Sequence, residues 1–158
     1  MAGIERIYLD TNLFIAAFER KDALGIRFGE LFTASRQAGH KAFVTSELTL
    51  SEVLVGPCRN RDTNLVASYE MLVRTSEWLD VIPVARPVLQ KAALLRASAL
   101  SLKLPDAIHL ATALGVGCTH ILTDDRGIGQ ASLPADAQVA VLRPDAATLD
   151  ALIQELSA

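Results

Sequence analysis

Ile7-Tyr8-Leu9 is a short apolar run that stops abruptly at Asp10, the pattern of a buried strand. From Asn12 onwards the spacing predicts a short helix, and from about Asp22 to Ala38 a longer one with Phe28 and Phe32 on one face. Gly39 is placed to stop that helix. Ala42-Phe43-Val44 predicts a second strand. Ser46 then caps a helix expected to run to about Val55 and to end before Gly56-Pro57. Asp62 to about Thr75 is helical by its spacing of Leu65, Tyr69 and Leu72, and Trp78 to Val84 reads as a strand.

Pro87 opens a helix whose apolar stripe is Val88, Ala92, Leu95, Ala99 and Leu102. Pro105 opens the next, ending near Gly115 or Gly117. His120-Ile121-Leu122 and Val139-Ala140-Val141-Leu142 are two further strands, and Ala146 to Leu156 a closing helix. Strands alternate with helices throughout, which predicts an α/β fold: a central, mostly parallel sheet of about four or five strands with helices on both faces. No repeat or linker interrupts the series, so residues 1–158 are expected to form one domain.

Composition adjusts this picture only slightly. Hydrophobic residues make up 51% of the chain but aromatic ones 5%, so the core must be mainly aliphatic. No apolar run approaches the roughly 18 residues of a membrane span, and the start lacks a signal-peptide pattern, so a cytoplasmic protein is the expectation. Cys58 and Cys118 stand in no metal-ligand spacing and are expected to be buried thiols. The net charge of −3 does not by itself point to nucleic acid, which usually meets a basic surface. Acids gathered around cations would reverse their sign locally, and the basic residues are mostly Arg, which suits phosphate.

The acids carry the chemistry. In an open parallel sheet, ligands sit at the carboxyl ends of the strands. Asp10 follows one apolar strand directly, and Asp124–Asp125 follow another after Thr123. Helices of βα units begin at that same edge, so Asp106, one residue after Pro105, should face the rim. Glu52 lies about two turns into the helix capped by Ser46, whose Leu48, Leu50, Val53, Leu54 and Val55 suggest burial on more than one face. Acids crowded at one rim repel one another and raise their pKa values unless a cation is present. Mg²⁺ or Mn²⁺, as one or two ions, would satisfy them.

Each acid also has an ordinary reading. Asp10 and the Asp124–Asp125 pair could be turn residues, Asp106 could simply complement a helix dipole, and Glu52 could pair with an Arg such as Arg59. Their placement at one expected rim favours the site.

The strings Leu9-Asp10-Thr11-Asn12, Ser51-Glu52-Val53, Pro105-Asp106-Ala107-Ile108-His109-Leu110-Ala111-Thr112-Ala113 and Leu122-Thr123-Asp124-Asp125 resemble, in order and spacing, the PIN-domain family. Within it the chain looks most like the toxins of VapBC toxin–antitoxin pairs, and the resemblance covers essentially the whole chain. It implies a PIN-like fold and a Mg²⁺- or Mn²⁺-dependent nuclease, usually a ribonuclease. Carried over by position, Asp10, Glu52, Asp106 and Asp125 match the acidic set, with Asp124 a secondary candidate for the metal. Thr11 or Asn12 would orient Asp10 or a substrate phosphate. His109 would take a supporting or packing role in preference to that of a general base.

Arg126, Arg59 and Arg61 are candidates to guide an RNA backbone, against the alternative of plain surface charge. A toxin implies a small antitoxin partner and often a toxin homodimer. The helical faces near Phe28, Phe32 and Leu65 could serve an interface, although core packing suits them better. Two other readings stand beside the ribonuclease: a DNA nuclease or phosphatase using the same acids, and a PIN-fold binding module without turnover.

Overall fold

The computed structural model describes residues 4–38 and 42–157. Gly39, the expected helix stop, and His40 lie outside them. Five strands form one sheet: β1 (Ile7–Leu9), β2 (Phe43–Ser46), β3 (Leu79–Ile82), β4 (His120–Leu122) and β5 (Ala140–Leu142). Their order is β3-β2-β1-β4-β5, and every neighbouring pair is parallel. Seven helices are described: α1 (Thr11–Glu19), α2 (Ala23–Gln37), α3 (Glu47–Asn60), α4 (Thr63–Leu72), α5 (Arg86–Ser98), α6 (Leu104–Gly115) and α7 (Ala146–Leu156). None of the described helices is long and apolar enough to cross a membrane.

The central strand β1 is apolar and buried without alternation because helices cover both faces of the sheet. Ile7, Leu9, Phe43 and Leu122 pack into one core with Phe14, Phe28, Phe32, Trp78, Leu149 and Leu152. Tyr8, Val44 and Ile121 turn the other way, under Ala92 and Leu95 of α5 and Ala107, Leu110 and Ala111 of α6. Phe28 and Phe32 are therefore core residues, with Leu65 packed at the edge of the same cluster.

Strand order matters for function. The chain builds β1, β2 and β3 outwards on one side, then crosses back so that β4 pairs with β1 at Ile7↔His120, Tyr8↔Ile121 and Leu9↔Leu122. The direction of building reverses between β1 and β4, which is where an open parallel sheet leaves a crevice beyond its carboxyl edge. Asp10 ends β1 at that point, and its N–H donates to Leu122 O at 3.2 Å.

Some boundaries differ from the sequence reading. Helix α3 passes through Gly56-Pro57 and ends at Asn60. Its stop is Arg61 at φ 53°, a left-handed conformation in which Arg61 N–H donates to Cys58 O and Asp62 N–H to Pro57 O. Pro57 gives up its own donor but supplies that acceptor, which lets it sit in the last stretch of the helix.

Helix α4 ends at Leu72 instead of Thr75, with Val73 N–H closing it on Tyr69 O, and β3 is shorter than residues 78–84. Helix α5 stops at Ser98. Ala99 and Leu102 pack with its stripe from beyond the helix, held by Arg96 Nε–H on Leu102 O at 3.1 Å. Cys118 is buried, and its thiol pKa is pushed up to about 12 by burial, but Cys58 near the end of α3 is exposed. Helix α3 buries Thr49, Val53 and Pro57 along one face and leaves Val55 in solvent, so it is less enclosed than its sequence suggested.

Candidate active site

Asp10, Thr11, Asn12, Ile15, Glu52, Asp106, His109 and Asp125 line one cavity of about 200 Å³. The local sequence explains how each acid arrives there. Asp10 ends β1 and caps α1, its Oδ1 accepting Thr11 N–H at 2.7 Å. Asp106 occupies the first turn of α6, just after a proline at a position that needs no donor. Asp125 lies in the loop after β4, and Glu52 projects from α3. No Lys or Arg lines the cavity. A larger cavity of about 480 Å³ lies between α5 and Leu133-Pro134, but it contains no acid, so chemistry singles out the smaller one.

Asp10 is almost fully committed. Its Oδ2 accepts Asn12 Nδ2–H at 3.0 Å and the Thr123 hydroxyl at 2.5 Å. Asp125 Oδ1 accepts Gly127 N–H at 2.7 Å, and Asp125 N–H donates to Thr123 Oγ1 at 2.9 Å. A methyl group at Gly127 would stand 3.1 Å from both Asp106 Oδ2 and Asp125 Oδ1, so these two carboxylates converge beside it. Glu52 Oε2 accepts the Thr11 hydroxyl at 2.5 Å and His109 Nε2–H at 2.8 Å. Its partners are Thr11 and His109, not Arg59.

The electrostatics divide the acids. Burial raises the pKa of Asp106, and the negative charges of Asp125 and Asp10 raise it further. Glu52 is also pushed up by burial, but the hydrogen bonds from His109 and Thr11 outweigh it and hold its carboxyl below the ordinary value. Crowding alone would have raised both, so the rise expected from sequence holds for Asp106 and fails for Glu52. The charges of His109 and then of Lys103, the residue before α6, temper the rise of Asp106.

All the donors are hard oxygens, and among the lining residues only His109 offsets the crowded charge around Asp106, with no Lys or Arg beside it. Asp10, Glu52, Asp106 and Asp125 therefore fit a hard divalent cation. Among the described residues, no three His, Cys, Asp or Glu side chains already form a ready-made metal cluster. Mg²⁺ does not require one, since it is commonly held by one or two carboxylates and keeps several waters.

The other candidates fall outside the cavity wall. Asp124 is exposed, and its charge acts on Arg20. Arg126 is exposed in the loop, while Arg59 and Arg61 lie at the far end of α3, roughly 10 and 13 Å along its axis from Glu52.

The residues missed by sequence reasoning are those that hold the acids in place. Thr123 ties Asp10 to Asp125. Arg143, just after β5, donates to Thr123 O at 3.0 Å, Asp125 O at 2.7 Å and Ile128 O at 2.7 Å, and so shapes the whole Asp125 loop. Tyr8 meets His109 Nδ1 at 2.6 Å. Thr123 stood inside a quoted motif, whereas Arg143 gave no local signal.

The PIN-domain profile matches residues 7–133. The chain belongs to the PIN-domain family. Solved structures share the fold of this PIN domain. A toxin–antitoxin complex from Klebsiella pneumoniae is similar at 22% identity and a TM-score of 0.61, over 88% of this chain and 98% of that one. VapBC2 from Rickettsia felis, bound to a DNA fragment from their promoter, gives 14% and 0.64 over 88% and 98%. Mycobacterium tuberculosis VapC20, described as a sarcin–ricin loop cleaving toxin, gives 18% and 0.59 over 73% and 86%. Likeness at these identities concerns the fold alone. No curated protein matches the chain by sequence.

Proposed function

We propose that this PIN domain is a Mg²⁺- or Mn²⁺-dependent endoribonuclease and the toxin component of a toxin–antitoxin pair. One observation carries the reading: acids from four separate segments, Asp10, Glu52, Asp106 and Asp125, line one cavity with no Lys or Arg among them. Such a donor set suits phosphodiester hydrolysis with a divalent ion. When bound, the ion lowers the pKa of an attacking water and neutralises charge developing on the phosphate.

The protein's own residues prepare that chemistry. Thr11, Asn12 and Thr123 donate to Asp10 and fix its orientation, with one donor on Oδ1 and two on Oδ2. Thr11 and His109 hold one oxygen of Glu52, while Asp106 and Asp125 converge beside Gly127. Asn12 and Arg126, at or near the rim, are suited to a substrate phosphate, and Arg59 and Arg61 to a more distant stretch of backbone. Asp124 stays a candidate for an outer position around the ion.

RNA as substrate is supported by the fold shared with VapC20, a sarcin–ricin loop cleaving toxin. A small antitoxin partner is supported by the likeness to toxin–antitoxin complexes, and a toxin homodimer belongs to the same reading. The deciding experiment is cleavage of a panel of structured RNAs with Mg²⁺ or Mn²⁺, against EDTA, matched DNA and Asp106→Asn. Metal-dependent RNA cutting that disappears in the variant establishes activity and site together. Intact protein, free of any partner, that binds metal yet cuts neither nucleic acid would overturn the proposal.

A further inference from the structure

We infer that Tyr8 and His109 are a positioning pair for Glu52: the Tyr8 hydroxyl holds the ring at Nδ1, so that Nε2–H anchors one carboxylate oxygen and leaves the other without a hydrogen bond among the described residues. The geometry is a buried chain. Tyr8 is 0% and His109 3% exposed. Tyr8 projects from β1 towards α6, where the two rings meet edge-on with centroids 5.8 Å apart. The hydroxyl lies 2.6 Å from Nδ1, and Nε2 lies 2.8 Å from Glu52 Oε2.

The direction of each bond follows from what the groups can do. An ionised carboxylate only accepts, so the nitrogen facing Glu52 must carry a proton. In a neutral ring the other nitrogen then only accepts, and the Tyr8 hydroxyl is the donor beside it. Both donors to Glu52, Thr11 Oγ1 and His109 Nε2, converge on Oε2, and among the described residues Oε1 has no hydrogen-bond partner. Glu52 is thus locked through one oxygen and offers the other. Neither ring nitrogen is left over to take a proton from water, so this arrangement argues against His109 as a general base.

The effect on catalysis rests on the nuclease reading, whereas the tautomer does not. Tyr8 does not line the cavity, so Tyr8→Phe removes one oxygen remote from any substrate. The test is ¹⁵N NMR of the histidine rings at neutral pH in the full chain, with His109→Gln used to assign the signals. A protonated Nε2 is expected, with an Nδ1 signal that shifts in Tyr8→Phe as its hydrogen bond to the hydroxyl is lost. Cleavage should fall about 10–100-fold, as for other residues that orient metal-binding side chains. The loss should lie in kcat more than in KM. His109→Gln, whose amide can still donate to Glu52, should keep more activity than His109→Leu.

A protonated Nδ1 with bare Nε2 in the wild-type protein would overturn the inference even if Tyr8→Phe does not fold. So would an unchanged Nδ1 signal, or full cleavage, in folded Tyr8→Phe. If no nucleic acid is ever cut, the NMR result still decides the tautomer, and the two failures remain separate.

Discussion

The Thr123 hydroxyl donates to Asp10 Oδ2 at 2.5 Å across 113 positions of sequence. Thr123 Oγ1 also accepts the N–H of Asp125, so one buried side chain sets the spacing of two acids that follow different strands. Thr123→Ala should leave both groups short of a partner and lower cleavage about 10–100-fold, while Thr123→Ser should keep most of it. Rates on one RNA substrate would check this. An alanine variant as fast as wild type would show that Thr123 only packs.

Asp106→Asn should separate stability from function. The folded pKa of Asp106 is raised by burial and by Asp125 and Asp10, so its ionised form is disfavoured in the fold. The metal-free variant should therefore be more stable than wild type at neutral pH. That advantage should vanish as pH falls below the unfolded carboxyl value of about 3.9, where both states are protonated. Each 1 kcal/mol gained would raise Tm by about 2–4 °C for a chain of this size. Added Mg²⁺ or Mn²⁺ should stabilise wild type much more than the variant. Thermal scans with and without metal, at neutral and acid pH, would show it; a variant less stable at neutral pH would refute it.

Arg143 should behave as a loop clamp. Its guanidinium reaches the carbonyls of Thr123, Asp125 and Ile128, a spread that the single ammonium of Lys cannot match. Hydrogen exchange across residues 123–128 should speed up in both Arg143→Ala and Arg143→Lys, with cleavage reduced at least several-fold. Unchanged exchange in that loop would refute the assignment.

Gly25→Ala tests the turn between α1 and α2. An added Cβ would lie 2.4 Å from the backbone oxygen of Arg20, too close to be absorbed by a side-chain movement. The cost should be about 1–3 kcal/mol, the range for overpacking. Urea unfolding would measure it. Metal affinity per folded molecule should not change, because this turn lies outside the cavity.

Acid should loosen the helix caps. Backbone N–H donation from Thr148 lowers the pKa of Asp145 at the start of α7. For a depressed carboxyl the stabilisation is complete above the unfolded pKa and is lost as pH falls through the folded one. Asp145→Ala should therefore destabilise at neutral pH and matter little in strong acid. A penalty independent of pH, seen in denaturant midpoints, would exclude the charge as its source.

Much of this was readable from local chemistry. Apolar triplets such as Ile7-Tyr8-Leu9 can be satisfied only between two layers, and acids that end them must share an edge once the strands are parallel. Asp10, Asp106 and Asp125 were legible for that reason, and Glu52 through its motif. What escaped depends on partners distant in sequence. The pairing of Tyr8 with His109 needs β1 packed under α6. Helix α3 outlasts Pro57 because the next residues find a left-handed exit at Arg61, which nothing near the proline announces. Cys58 lies on that extra length and is exposed although the adjacent Pro57 is buried.

The return of β4 to the side of β1 has a consequence for synthesis. The first 60 residues carry Asp10 and Glu52, but Asp106 and Asp125 come later, and the clamp on the Asp125 loop is Arg143. A ribosome makes these pieces in that order, and folding follows the emerging chain. Until Arg143 clears the exit tunnel, the Asp125 loop lacks its clamp, so on the proposed nuclease reading the growing polypeptide would not yet hold a finished site beside the RNA that is making it.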